Sequence, residues 1–226
     1  MVLGIITSIA ACPAIIGTVE AVRQGQRQSA KERHRGAKTN LVVSGSCSEI
    51  DGCPVELRDG RLYIATRAER HSDKRPKGHP FAGYFLPYPE QTWGRRGEGL
   101  VSTISDDPPQ LNWIFVDVDT YELRYGDKVA SQGHIVGPWD CTSIDKRLTL
   151  EGWEGFVAVE EVEYLDEQDE KGRATEGWDD NGERKSWVLW FDRDDDALAT
   201  KIDGWKVVEV ELIRKERRKR KDDEGA

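Results

Sequence analysis

From residue 79 to residue 210 the chain repeats one phrase, a short aromatic and β-branched run closed by Gly, Pro or Asp, and strand-like runs begin at residue 41. Runs of this length between turn residues predict strands. Residues 41–44 read as the first. Residues 55–66 read as a hairpin, because Asp59-Gly60 is a favoured two-residue turn between alternating runs. Residues 69–78 are charged and carry Pro76 and Gly78, which predicts an exposed loop. Residues 81–89 predict a strand at a sheet edge, since Pro80, Pro87 and Pro89 cannot donate to a central ladder. Asp106-Asp107-Pro108-Pro109 predicts a rigid turn. Residues 112–118 and 121–125 predict a second hairpin about Asp119-Thr120. On its first strand Trp113, Phe115 and Asp117 share one face, and Ile114, Val116 and Val118 the other. Further strands are expected over 128–136, 147–150, 155–162, 187–191 and 206–213. Residues 187–191 are apolar almost throughout, the pattern of a strand buried on both faces. Residues 206–213 alternate Val and Glu, the pattern of a half-exposed strand. The sum is a mainly β fold, a single sandwich- or barrel-like antiparallel domain over 41–213.

Two segments break this pattern. Residues 2–19 carry no charge, and a run of that length approaches the roughly 17–25 residues that span a bilayer. An N-terminal helix is expected over 1–23, either as a membrane anchor or as a packing helix that associates with the β domain or with a second copy. A cleaved leader would want Lys or Arg before the apolar run, and none stands there. Residues 24–40 are polar and basic, a linker or helix extension. Residues 165–185 are acidic, contain glycine and are nearly free of aliphatics, which predicts a long solvated loop.

Charge refines this division. The net charge of -9 conceals a basic start, a strongly acidic stretch over 151–196, and a tail over 214–226 that is basic, then acidic at 222–224. A chain so divided does not present one uniform surface to a polyanion. The tail brings together Arg214, Lys215, Arg217, Arg218, Lys219, Arg220 and Lys221, a basic patch for anionic lipid or nuclear import. Without interleaved aromatic residues a specific nucleic-acid module is not expected. Residues 1–35, apolar then basic, suit a membrane or anionic lipid. Cys12, Cys47, Cys53 and Cys141 form no CxxC pair. Asp51-Gly52 could let Cys47 and Cys53 bridge, but reduced thiols in an intracellular protein are the plainer expectation.

No stretch carries a specific catalytic or cofactor motif, and no cofactor is expected. Asp106, Asp107 and Asp117 with His134 are the carboxylates and imidazole that could perform acid–base chemistry if they converged. Asp192, Asp194 and Asp196 have the alternate spacing of a calcium loop, but Ala197 stands where that loop needs Gly and Asp203 where it needs Glu. All eight tryptophans fall between Trp93 and Trp205. Trp113, Trp187 and Trp190 read as core. Tyr84, Tyr88, Trp93, Trp139 and Trp153 lie beside Gly, Pro or Asp, where rings can serve a glycan or peptide.

Several blocks together resemble a family of small uncharacterised proteins of filamentous fungi. They begin at Gly4-Ile-Ile-Thr, Gly78-His-Pro-Phe-Ala-Gly-Tyr-Phe, Ser102-Thr-Ile-Ser-Asp-Asp-Pro-Pro, Gly137-Pro-Trp-Asp and Leu150-Glu-Gly-Trp-Glu-Gly-Phe. The resemblance spans nearly the full chain and implies a fungal source and an intracellular setting. It assigns no activity and no site residue. The expected function is therefore a non-enzymatic binding or scaffold protein, with a β domain held by its N-terminal helix. A hydrolase using the Asp and His residues, or a nuclear protein directed by the basic tail, are the alternatives.

Overall fold

A computed structural model describes residues 35–70, 78–88, 97–106, 108–164, 183–202 and 204–216, without the side chains of Asp106, Glu163 and Tyr164. The chain divides into two compact units, Met1–Ala37 and Lys38–Ala226. Of the first unit only residues 35–37 are described, so the helix expected over 1–23 lies outside the described residues. Among the described residues no helix is long and apolar enough to cross a membrane.

The strands of the second unit are β1 (Thr39–Gly45), β2 (Val55–Arg58), β3 (Arg61–Ile64), β4 (His79–Pro80), β5 (Gly83–Pro87), β6 (Glu98–Asp106), β7 (Pro109–Val116), β8 (Leu123–Gly126), β9 (Trp139–Cys141), β10 (Leu148–Leu150), β11 (Phe156–Tyr164), β12 (Glu183–Phe191) and β13 (Lys206–Glu216). One short helix, α1 (Arg67–Arg70), follows β3. Thr66 caps it. Its Oγ1 accepts the Glu69 N–H at 3.2 Å, and Glu69 returns a carboxylate to the Thr66 N–H at 2.9 Å. This is the reciprocal arrangement that satisfies two orphan donors at a helix start.

The expected choice between sandwich and barrel resolves to a barrel. An 11-stranded sheet runs β12-β11-β13-β1-β5-β6-β7-β8-β3-β2-β4, and β12 also pairs with β3 through Trp187↔Ile64 and Val188↔Tyr63. That pairing returns the sheet upon itself between β3 and β12. β2 and β4 hang from β3, and β9 and β10 form a separate hairpin. Alternate residues fill the interior. Leu41, Val43, Leu100, Ile114, Val116, Val210 and Leu212 are all buried in one hydrophobic core with Trp187, Leu189 and Phe191.

Several expectations hold at residue level. The Asp59-Gly60 turn has φ of 51° and 78°, the left-handed pair that a two-residue hairpin needs, and Arg58 pairs with Arg61 across it. Residues 186–191 of β12 are buried without a break. Ile114 and Val116 enter the core, whereas Phe115 faces away and stacks on His134 with centroids 5.0 Å apart.

Others are corrected. Residues 128–136 are not a strand. Asp127 Oδ1 accepts the N–H groups of Val129 and Ala130, and its carbonyl accepts that of Ser131, so the chain coils until Ile135 meets Val116. The segment at 83–87 is an edge only in part: β5 pairs with β6 along its length but meets β1 at Thr39↔Gly83 alone. Thr39 and Asn40, placed in the linker, open β1 opposite Glu216 and Lys215. Glu183, Arg184 and Lys185, placed in the acidic loop, belong to β12 and pair with Tyr164, Glu163 and Val162. The rest of that loop, 165–182, lies outside the described residues. Cys47 and Cys53 form no bridge, in line with the plainer expectation of reduced thiols, and Cys53 Sγ donates to the Glu49 carbonyl at 3.5 Å.

Candidate functional site

The turn between Leu150 and Trp153 builds one wall of a surface cleft. Glu151 and Gly152 take φ of 54° and 95°, and Leu150 and Trp153 exchange backbone hydrogen bonds at 3.0 and 3.2 Å. The tight reversal sets Trp153 on the surface, 37% exposed, with its ring edge-on to Phe191 at 5.7 Å. The following Gly155 has no side chain to compete for that space. Its carbonyl accepts the Asp192 N–H at 2.8 Å, which ties this turn to the one after β12.

Beside Trp153 lies a cleft of about 480 Å³. Ser44 and Gly45 at the end of β1, Glu209 to Glu211 on β13, residues 153–157, and Asp192 with Asp195 form its walls. The register places these together: Gly45 pairs with Val210, and Val157 with Glu209. Asp192 is buried and accepts the N–H groups of Asp196 at 3.2 Å and Ala197 at 2.7 Å, which fixes the turn. Arg147 stands between two carboxylates of the cleft. Its Nη1 donates to Glu211 at 2.9 Å, and its Nε lies 3.2 Å from Glu154. The hydrogen bond to Glu211, then the charge of Glu154, hold the guanidinium pKa above its ordinary value.

Of the rings expected to meet a ligand, Trp153 alone lines this cleft. Trp139 is 1% exposed and stacks on Phe156 at 6.0 Å, so it is core. Tyr88 is buried as well, packed where side chains on Gly97 or Gly137 would stand. Tyr84 is half-buried on β5 opposite Val101. Trp93 lies outside the described residues.

The acid–base candidates separate. Asp106 pairs with Pro109 at one end of the β6–β7 hairpin, while Asp117 follows the other end of β7, and Asp107 lies outside the described residues. Asp117 and His134 do meet, but as structural groups. Asp117 Oδ1 accepts the N–H groups of Asp119 and Thr120 at 3.0 and 3.1 Å, and Oδ2 accepts from Arg124 at 3.3 Å. Burial pushes this carboxyl up, but the Thr120 and Asp119 N–H groups and Arg124 outweigh it and hold the pKa below its ordinary value. His134 Nδ1 accepts the Val118 N–H at 3.2 Å and lies 3.9 Å from Asp117 Oδ2. Neither residue lines the cleft.

The calcium spacing does not become a site. Asp192 is engaged by its own turn, and Asp194 Oδ2 accepts the Tyr121 hydroxyl at 3.0 Å. Among the described residues no three His, Cys, Asp or Glu side chains come together to hold a metal ion. The basic patch loses its first member. β13 continues to Glu216, and Arg214 points inward, 4% exposed. Its guanidinium covers the Phe85 ring at 4.2 Å, and its Nε donates to Thr39 Oγ1 at 3.1 Å. Lys215 is exposed, and 217–221 lie outside the described residues.

Sequence reasoning missed Glu154, Asp195, Glu209 and Glu211. For the last two a signal exists: Glu at alternate positions of a strand occupies one face. A family model described as the fungal beta-trefoil domain matches residues 17–218. No curated protein and no solved structure matches the chain.

Proposed function

Because this chain belongs to the fungal β-trefoil domain family, we propose that it is a non-enzymatic binding protein whose ligand site is the cleft beside Trp153. One observation carries the reading: a large ring left 37% exposed at the wall of a cleft of about 480 Å³. Tryptophan is usually well buried, and clefts of roughly 300–1,000 Å³ are the size that holds small ligands or single side chains. The walls come from four segments tied by strand pairing and by the Asp192 hydrogen bonds, so the site is largely formed before a ligand arrives. A site of that kind loses little ordering entropy on binding.

The acid–base groups favour this reading over a hydrolase, since Asp117 and His134 are engaged with turn N–H groups and lie apart from the cleft. The experiment is a chemical-shift titration of the isotope-labelled full chain with a panel of oligosaccharides and short peptides. Shifts should cluster on Gly45, Trp153, Gly155 and Glu209. Shifts confined to another face, with these four unmoved, would overturn the assignment.

A further inference from the structure

The cleft is a cavity walled by acceptors. Glu154, Asp192, Asp195, Glu209 and Glu211 each bring a carboxylate and Ser44 brings a hydroxyl, and among the described residues the one cation engaged with these groups is Arg147, on Glu154 and Glu211. An ionised carboxylate only accepts hydrogen bonds. Phosphate, sulfate or carboxylate ligands bring further acceptors and would meet like charge. A sugar needs donors as well as acceptors from its site. Ammonium and guanidinium groups are all donor, and so are complementary to these walls. The exposed indole adds a face to which a cation is drawn.

The chain already seats one guanidinium here, Arg147 between Glu154 and Glu211. Asp195 and Glu209 remain exposed, and among the described residues neither side chain has a partner. A metal ion would need several carboxylates on one point, and among the described residues no such group exists. Carboxylates spread around a cavity suit an extended donor group better than a point charge.

We propose that the cleft takes a basic peptide, laying an arginine or lysine side chain against Trp153 with its N–H groups directed at the rim carboxylates. The proposal rests on the cleft being the binding site and adds the chemical class of its ligand. The test titrates a labelled Gly-Arg repeat peptide into the full chain, beside the same peptide with citrulline, neutral and of similar shape, in place of arginine. Three variants accompany it. Asp195→Asn with Glu209→Gln removes the two unpaired charges of the cleft. Asp59→Asn with Asp119→Asn removes two charges from exposed turns outside it. Trp153→Ala removes the ring.

The cleft pair and the citrulline exchange should each weaken binding about tenfold or more, and the distant pair no more than about twofold. No arginine-peptide binding, equal loss in both charge pairs, or equal binding of the citrulline peptide would each overturn the proposal. If citrulline binds as well but Trp153→Ala still abolishes binding, the ligand class fails while the cleft stands. If bound peptide is indifferent to Trp153→Ala as well, the cleft assignment falls with it.

Discussion

The Trp153 indole occupies the place a side chain on Gly155 would need: a Cβ there would fall 2.3 Å from Cζ2. The pair sets the wall of the cleft. Gly155→Ala should therefore push the ring outward. Because the ring borders open space, the cost should be about 1 kcal/mol, at the low end of overpacking. Urea denaturation measures the loss, and the shifted indole N–H resonance of Trp153 reports the displacement.

Arg61 on β3 reaches across to β11 and to Glu122, the residue before β8. It donates to Glu161 from both Nη atoms and to Glu122 at 2.9 Å. Burial works against its charge, but the Glu161 hydrogen bond and the attraction of both glutamates hold its pKa above the ordinary value. Arg61→Ala leaves the largely buried Glu161 without this partner and Glu122 with Arg124 alone, 3.9 Å away, and should cost about 3 kcal/mol. Arg61→Ala with Glu161→Ala should cost less than the two single losses summed, which a double-mutant cycle measures.

The same substitution has a pH signature. Burial foremost raises the Glu122 pKa above its ordinary 4.5, against the pull of Arg61 and Arg124. A carboxyl raised on folding binds its proton more tightly in the native state. Its contribution is full below the ordinary value and is lost as pH rises through the folded one. Removing Arg61 raises Glu122 further. Stability of Arg61→Ala should fall more steeply than that of the parent as pH rises above the ordinary glutamate value, read from urea midpoints.

Asp117 carries the opposite sign. Its folded pKa lies below the ordinary 3.8, so its contribution is present above that value and is lost as pH falls through the folded one. Asp117→Asn should cost about 1–2 kcal/mol near neutrality, where the carboxylate accepts from Arg124 and two backbone N–H groups. The difference from the parent should shrink in melts recorded below the ordinary value.

Much of the barrel is legible where local chemistry decides. Asp59-Gly60 names its hairpin because two successive left-handed residues are needed there, and the run 187–191 names a buried strand because no polar residue interrupts it. Closure is not legible, since Ile64 and Trp187 are far apart in sequence and nothing local marks their pairing. Trp139, beside Gly and Pro, reads as a loop ring but packs on Phe156, a contact that only tertiary structure makes. The charge run beginning at Arg214 conceals that the alternation of Val210 and Leu212 continues inward for one more residue.

That last point separates two neighbours. Arg214→Ala removes a buried hydrogen bond to Thr39 and a cation over Phe85, and should cost about 2 kcal/mol or more. Lys215→Ala, on the exposed face of the same strand, should stay within about 0.5 kcal/mol. Chemical denaturation of the two variants side by side checks the contrast.

The cleft is tested most directly by screening the full chain and its Trp153→Ala variant against one array of oligosaccharides and peptides, with thermal melts of both. Trp153 contacts Phe191 from the surface, so the variant should keep its fold. The cleft assignment predicts that the ligands retained by the parent are lost by the variant at a closely similar melting temperature. The same ligands retained at unchanged affinity by a folded Trp153→Ala protein would contradict it.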